Sequence, residues 1–322
     1  MDQPKHSIPR DLGNVARGVL MGGADVIPGV SGGTVALMLG IYERLVTAIS
    51  HFDVRLLGLL RAKQWKLAIG HVDLRFLITL AMGIGSGVMA LGILMNRLLT
   101  DPATRPLTLA AFFGMILASA VLVGRSIEVE SERSIGGLLL LGLGGVVFAF
   151  GVTMLPTSAL DPSYGYLFLC GMIAICAMIL PGISGAYILL ILGVYGFMTG
   201  ILEELAHGAI TSHSITATIV FASGCAIGLL AFSKVLRWML AHLHAATMAV
   251  LCGFMIGALR KIWPFQTDLT PDVEKLKEKD FENFLPTQLD GQFFSVLAVA
   301  LIAAALTFAL DWIGRKTKAA HT

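Results

Sequence analysis

The chain has 322 residues, of which 56% are hydrophobic and only 14% charged, and its mean hydropathy is +0.81. A soluble domain carries about 25% charged residues, so this balance excludes a soluble globular protein and places the chain in a membrane. The net charge of +2 points to no nucleic acid or other polyanion, and what matters is where the charges sit.

In chain order, residues 1–11 form a polar tail with Lys5 and Arg10, and no cleavable signal peptide is expected. Residues 12–49 are apolar but broken at Pro28-Gly29. Each arm falls short of the ~20 residues that cross a bilayer, which suggests a re-entrant hairpin. Residues 50–74 mix Arg55, Arg61, Lys63 and Lys66 with leucines and Trp65, the pattern of an amphipathic helix lying on the membrane surface. Spans follow at 75–99, 106–124 and 135–155. Residues 164–202 are a second broken segment, interrupted at Pro181-Gly182. Spans at 215–240, 245–263 and 291–314 complete the second half. Between the last two, the polar stretch 264–290 is expected to be a solvated loop with one short helix. Residues 315–322 are a basic tail.

The two breaks are copies. Ile27-Pro-Gly-Val-Ser-Gly-Gly33 returns as Leu180-Pro-Gly-Ile-Ser-Gly-Ala186, and the same offset aligns Leu39, Gly40 and Tyr42 with Leu192, Gly193 and Tyr195. The chain therefore reads as two related membrane repeats, 12–155 and 164–314, each a broken segment followed by three spans. Re-entrant broken segments give each half an odd number of crossings and invert the repeats. Spanning ones give parallel repeats. The re-entrant arrangement puts sixteen of the 23 Lys and Arg on one side, which by the positive-inside rule is the cytoplasm, together with both termini. The expected fold is all-α, with inverted repeats.

Repeated helix breaks in apolar sequence point to a transporter's binding site. Proline frees backbone groups, and the helix that restarts offers unpaired N–H groups and a positive dipole end. Such an end attracts anions, phosphate above all. The candidate phosphate-binding residues are therefore Gly29, Ser31, Gly32, Gly33, Thr34, Gly182, Ser184 and Gly185. Alternatively, the motif makes only a tight hairpin tip that packs the halves together. Asp25 is an acid at membrane depth. It either carries a coupling proton or orients the serine, or it caps the freed N–H groups of its own hairpin. Met178 stands at its place in the second half. Glu43 is a second candidate for coupling or orienting, with a simple interfacial pair with Arg44 as the alternative. Arg17, Arg44, Lys234 and Arg237 are accessory basic candidates, with snorkelling to the surface as their default role.

Cofactor and metal chemistry find no support. Cys170, Cys176, Cys225 and Cys252 form no Cys-x-x-Cys pair, and the eight histidines form no metal-binding pattern. There is no nucleophile elbow or P-loop.

The run Gly22-Gly-Ala-Asp-Val-Ile-Pro-Gly-Val-Ser-Gly-Gly-Thr34, with Leu39-Gly-Ile-Tyr-Glu43, resembles the signature of the prokaryotic polyprenyl-phosphate transporter family, as do Leu180-Pro-Gly-Ile-Ser-Gly185 and Leu192-Gly-Val-Tyr195. The resemblance covers essentially the whole chain. It implies a protein of the bacterial inner membrane, surrounded by membrane lipids, that returns undecaprenyl phosphate from the outer to the cytoplasmic leaflet. It fixes no coupling ion. An intramembrane phosphatase acting on the same lipid, a small-anion transporter and an envelope scaffold remain the rival readings.

Overall fold

The computed structural model describes residues 8–25, 31–127, 132–155, 162–206, 211–273 and 279–319. Apart from one small β-hairpin the described chain is helical. Helices α1 (Ile8–Asp25), α2 (Gly32–Met38) and α3 (Tyr42–Ser50) make the first broken segment. Helices α4 (Val54–Arg61) and α5 (Trp65–His71) precede the long helices α6 (Leu74–Thr100), α7 (Arg105–Arg125) and α8 (Glu132–Val152). The second broken segment is α9 (Tyr164–Ile179), α10 (Gly185–Ile191) and α11 (Tyr195–Ala206). It leads into α12 (Ser212–His242), α13 (His244–Ala258), a 3-10 turn (Leu259–Ile262), strands β1 (Gln266–Asp268) and β2 (Phe281–Asn283), and α14 (Gly291–Ala319).

Among the described residues six helical stretches are long and apolar enough to cross a membrane: Leu74–Thr100, Arg105–Arg125, Ile135–Val152, Ser212–His242, His244–Ile262 and Gly291–Ala309. They coincide with the six spans read from the sequence. Helices α2 and α3 form a further apolar pair bent by 119°.

Three local details depart from expectation. The helix that restarts after each break runs only seven residues and then turns again. Gly40 and Gly193, at φ +65° and +76°, make these second turns in a conformation that side chains disfavour. The amphipathic segment is two short helices rather than one, because Lys63, at φ +55°, breaks it. Both helices keep exposed apolar side chains beside their basic ones, Leu57 and Trp65 among them. The polar stretch after α13 forms a hairpin where a helix was expected, with Gln266 opposite Asn283 and Asp268 opposite Phe281. Lys279 Nζ lies 2.6 Å from Asp268 Oδ2 at the end of the hairpin where its loop begins. Burial alone would raise the Asp268 carboxyl, but the Lys279 ammonium and the Thr270 N–H hold it below its ordinary range.

The chain divides into two compact units, neither of which is one sequence half. The first takes Met1–Val26, Ser31–Gly92 and Leu155–His244, and so holds the described helices of both broken segments; the second is Ile27–Val30, Ile93–Met154 and Ala245–Thr322. Small residues set the helix spacing in each, as expected where lipid gives helices no hydrophobic reason to pair. In the first unit Gly18 of α1 lies against Leu80 O of α6, and Gly171, its counterpart one repeat later, lies against Phe221 O of α12. In the second, Gly114 of α7 abuts Ala300 O of α14, and Gly253 of α13 abuts Gly142 O of α8. A side chain at any of these four would push two helix backbones apart.

Candidate functional site at the paired helix breaks

Helix α9 stops at Ile179 because Pro181 offers no N–H and its ring crowds the preceding turn. Its late carbonyls thereby lose their helical donors and need other partners. The first break supplies them. Ser31 Oγ donates to Met178 O at 3.0 Å, and the Gly182 N–H donates to Thr34 Oγ1 at 2.8 Å. Two hydroxyls of the first motif thus satisfy one acceptor and one donor of the second. Gly33 makes the approach possible, since a Cβ there would stand 2.5 Å from Ile179 O. Gly182 turns the chain with φ +82°.

The start of α2 is already capped. Ser31 has extended backbone, and its Oγ accepts the Gly33 N–H at 3.1 Å, the arrangement of an N-cap serine. Asp25 Oδ1 accepts the Gly32 N–H at 2.6 Å, a short charge-assisted bond. Ser31 and Thr34 are both buried, at 1% and 0% exposure. The donors expected to await an anion are met by a carboxylate and a hydroxyl of the chain itself. Asp25 thus caps a freed N–H of its own hairpin.

The start of α10 differs. Ser184 occupies the same N-cap position, again with extended backbone, but its side chain makes no cap bond. Met178 stands where Asp25 would, and its side chain cannot accept an N–H as a carboxylate does. Tyr187 stands at Thr34's place, and its hydroxyl donates to Leu155 O at 3.2 Å. Both side-chain bonds described between the motifs use hydroxyls of the first.

The breaks bring together Asp25, Ser31, Gly32, Gly33, Thr34 and Gly182, with Ser184 and Gly185 beginning the next helix. Gly29 lies outside the described residues. The remaining candidates have other positions. Arg17 Nη1 donates to Asn14 Oδ1 at 3.2 Å. Glu43 and Arg44 do not pair with each other, because neighbouring positions on a helix point in different directions. Glu43 instead meets His244 Nε2 at 3.0 Å, while Arg44 meets Asp73 at 2.7 Å and lies 4.1 Å over the Phe76 ring. Lys234 is exposed and Arg237 half-buried on α12. None of these hydrogen-bonds to the break motifs among the described residues. Sequence reasoning missed the Met178 carbonyl, which no side-chain pattern announces; its only signal is the proline three positions on.

A helical membrane protein with two copies of a broken apolar segment, bonded to each other at the breaks, has the construction of a transporter rather than of an enzyme. The chain belongs to the undecaprenyl phosphate translocase-like family (VCA0040-like), whose model matches residues 21–280. It is 36% identical over 315 residues to the polyprenyl-phosphate transporter of Vibrio cholerae serotype O1, covering 95% of this chain and 97% of that one. It is 29% identical over 260 residues to the polyprenyl-phosphate transporter of Staphylococcus aureus, covering 78% and 86%. No solved structure matches it significantly.

Proposed function

We propose that this chain carries a polyprenyl phosphate, undecaprenyl phosphate above all, from the outer to the cytoplasmic leaflet of the bacterial inner membrane. Its relatives' names supply the substrate class. The observation that carries the site is the unequal capping of the two breaks: α2 already holds a carboxylate, whereas Ser184 and the Gly185 N–H begin α10 with no side-chain cap. In this reading the lipid phosphate meets Ser184 and Gly185. Ser31 and Thr34 hold the second break in place, and Asp25 keeps the phosphate off the first. The lipid tail stays in the bilayer while its head passes through protein.

The repeats 12–155 and 164–314 are inverted in this scheme, with both termini cytoplasmic, and rocking of one against the other exposes the phosphate to alternate leaflets. The test is reconstitution into liposomes with a fluorescent polyprenyl phosphate in one leaflet. Wild-type protein should equilibrate the lipid between leaflets, and Ser184→Ala should slow it without loss of folded protein. An unchanged rate in Ser184→Ala would remove the phosphate from this break.

A further inference from the structure

The second unit holds a cavity of its own. It is lined by the middle of α7, the end of α8, the end of α13 with the 3-10 turn after it, and the β-hairpin. These line an open cavity of about 440 Å³, within the ~300–1,000 Å³ of ligand pockets. Phe113, Phe150, Ile256, Trp263 and Leu285 give it apolar walls, and Arg260 is its charged lining residue. The walls are braced: Phe113 and Trp263 pack edge to face at 5.6 Å, and Trp263 Nε1 donates to Phe284 O at 2.9 Å.

Arg260 is positioned without being neutralised. Its Nη1 donates to Thr153 O at 2.9 Å and to Thr153 Oγ1 at 3.3 Å, both uncharged acceptors, and the guanidinium carbon lies 5.4 Å from the Phe150 ring. Among the described residues no carboxylate pairs with it, and its other N–H groups have no acceptor. The backbone beneath is fixed separately. Asn283 Nδ2 donates to Arg260 O at 2.7 Å, Gln266 Nε2 to Lys261 O at 3.1 Å and to Asn283 Oδ1 at 3.0 Å, and Arg105 Nη2 to Gln266 Oε1 at 2.9 Å. The hairpin thus clamps the main chain of the turn and leaves the guanidinium with donors to spare. A greasy cavity with one rigidly mounted, acid-free cation at its wall is complementary to an amphiphile with a single anionic head.

We propose that this cavity is a second lipid-binding site, taking the head end of a polyprenyl phosphate: the first isoprene units lie among Phe113, Ile256 and Trp263, and the phosphate oxygens accept from Arg260. The identity of the lipid rests on the transport reading above. The cavity itself does not, because all its walls come from the second unit and none of the break residues lines it.

The test uses the full chain purified in detergent, with farnesyl phosphate, farnesol and inorganic phosphate as probes, binding read by native mass spectrometry and folding by thermal unfolding. Ile256→Trp fills the cavity. Leu285→Asp puts a repelling charge at its mouth, at a side chain 76% exposed and so tolerant of change. Both should weaken farnesyl phosphate by about tenfold or more, the loss of roughly one good contact. Arg260→Gln should weaken farnesyl phosphate but leave farnesol unchanged. If Ile256→Trp and Leu285→Asp both fold and bind farnesyl phosphate as wild type does, the cavity is not its site. If inorganic phosphate displaces the probe fully and farnesol not at all, the apolar walls contribute nothing and the proposal also falls. Liposome transport separates the two readings. Wild-type protein that moves no polyprenyl phosphate, yet binds farnesyl phosphate in an Ile256-dependent way, sinks the transport reading and keeps the cavity. Wild-type protein that transports, with all three variants transporting and binding alike, sinks the cavity alone.

Discussion

The two breaks have nearly the same sequence and different chemistry. Each is a Pro-Gly interruption followed by a serine N-cap, a seven-residue helix and a glycine turn, all at one constant offset. Yet the first meets its own freed N–H groups with Asp25 and Ser31, and lends Ser31 and Thr34 to the second. The side-chain bonds seen between the two motifs, Ser31 to Met178 O and Gly182 N–H to Thr34, both use hydroxyls of the first. Duplication explains the shared backbone; the substitutions at two matching positions, Asp25 against Met178 and Thr34 against Tyr187, explain the divergence. One copy has become a brace and the other keeps an unfilled cap, a division of labour that neither copy could reach alone.

The strongest way to break this comparison is to separate the two breaks. Gly33→Ala places a methyl 2.5 Å from Ile179 O, a backbone atom with nowhere to go, and should destabilise the protein by about 3 kcal/mol, the upper range for overpacking. Gly185→Ala, whose methyl would lie 2.8 Å from Ala174 O, should cost somewhat less. Thermal unfolding in detergent orders the two, and a tolerated Gly33→Ala would mean that the motifs do not touch.

Asp25 tests the brace next. Asp25→Ala leaves the Gly32 N–H without its acceptor and should lose about 2 kcal/mol, whereas Asp25→Asn keeps an acceptor oxygen and should lose under about 1 kcal/mol. Transport by the asparagine variant then divides the remaining roles. A folded Asp25→Asn that transports normally makes Asp25 a cap; one that folds and fails to transport means that its charge matters as well. Ser31→Ala removes one cap bond and one brace together, and should cost about 1–2 kcal/mol.

Much of this was legible in the sequence, and the reasons differ by element. The six spans were readable because a window of about 20 apolar residues has few other uses. The duplicated motif was readable because its spacing survived divergence. The second bend was present as Leu39-Gly40 and Leu192-Gly193 but served only as a repeat marker, since a glycine inside apolar sequence does not announce its φ. The β-hairpin was not readable. Its strands are three residues each, and the mixed acids and bases around residues 272–282 imitate an exposed helix. Nor was the cap bond of Asp25: a cap and a proton carrier need the same residue, and the 2.6 Å contact with the Gly32 N–H is visible only in the structure. The cations of the second unit had registered only as a charge count, because Arg260 meets its cavity through residues of four separate elements.

Two further substitutions sharpen the comparison by showing where the breaks should behave alike and where they should not. Gly40→Ala and Gly193→Ala force the same left-handed geometry on a side chain and should each cost about 1–2 kcal/mol. Unequal costs would mean that the two turns have diverged as the caps have. Ser184→Ala is the reverse case and the smallest effect on stability. Its hydroxyl caps nothing, so unfolding should shift by no more than about 0.5 kcal/mol, against the 1–2 kcal/mol expected for Ser31→Ala. If the uncapped break receives the lipid phosphate, transport should order the pair the other way for folded protein, with Ser184→Ala the slower. A Ser184→Ala variant as destabilised as Ser31→Ala would mean that the second cap is filled after all, and the asymmetry on which the site rests would be gone.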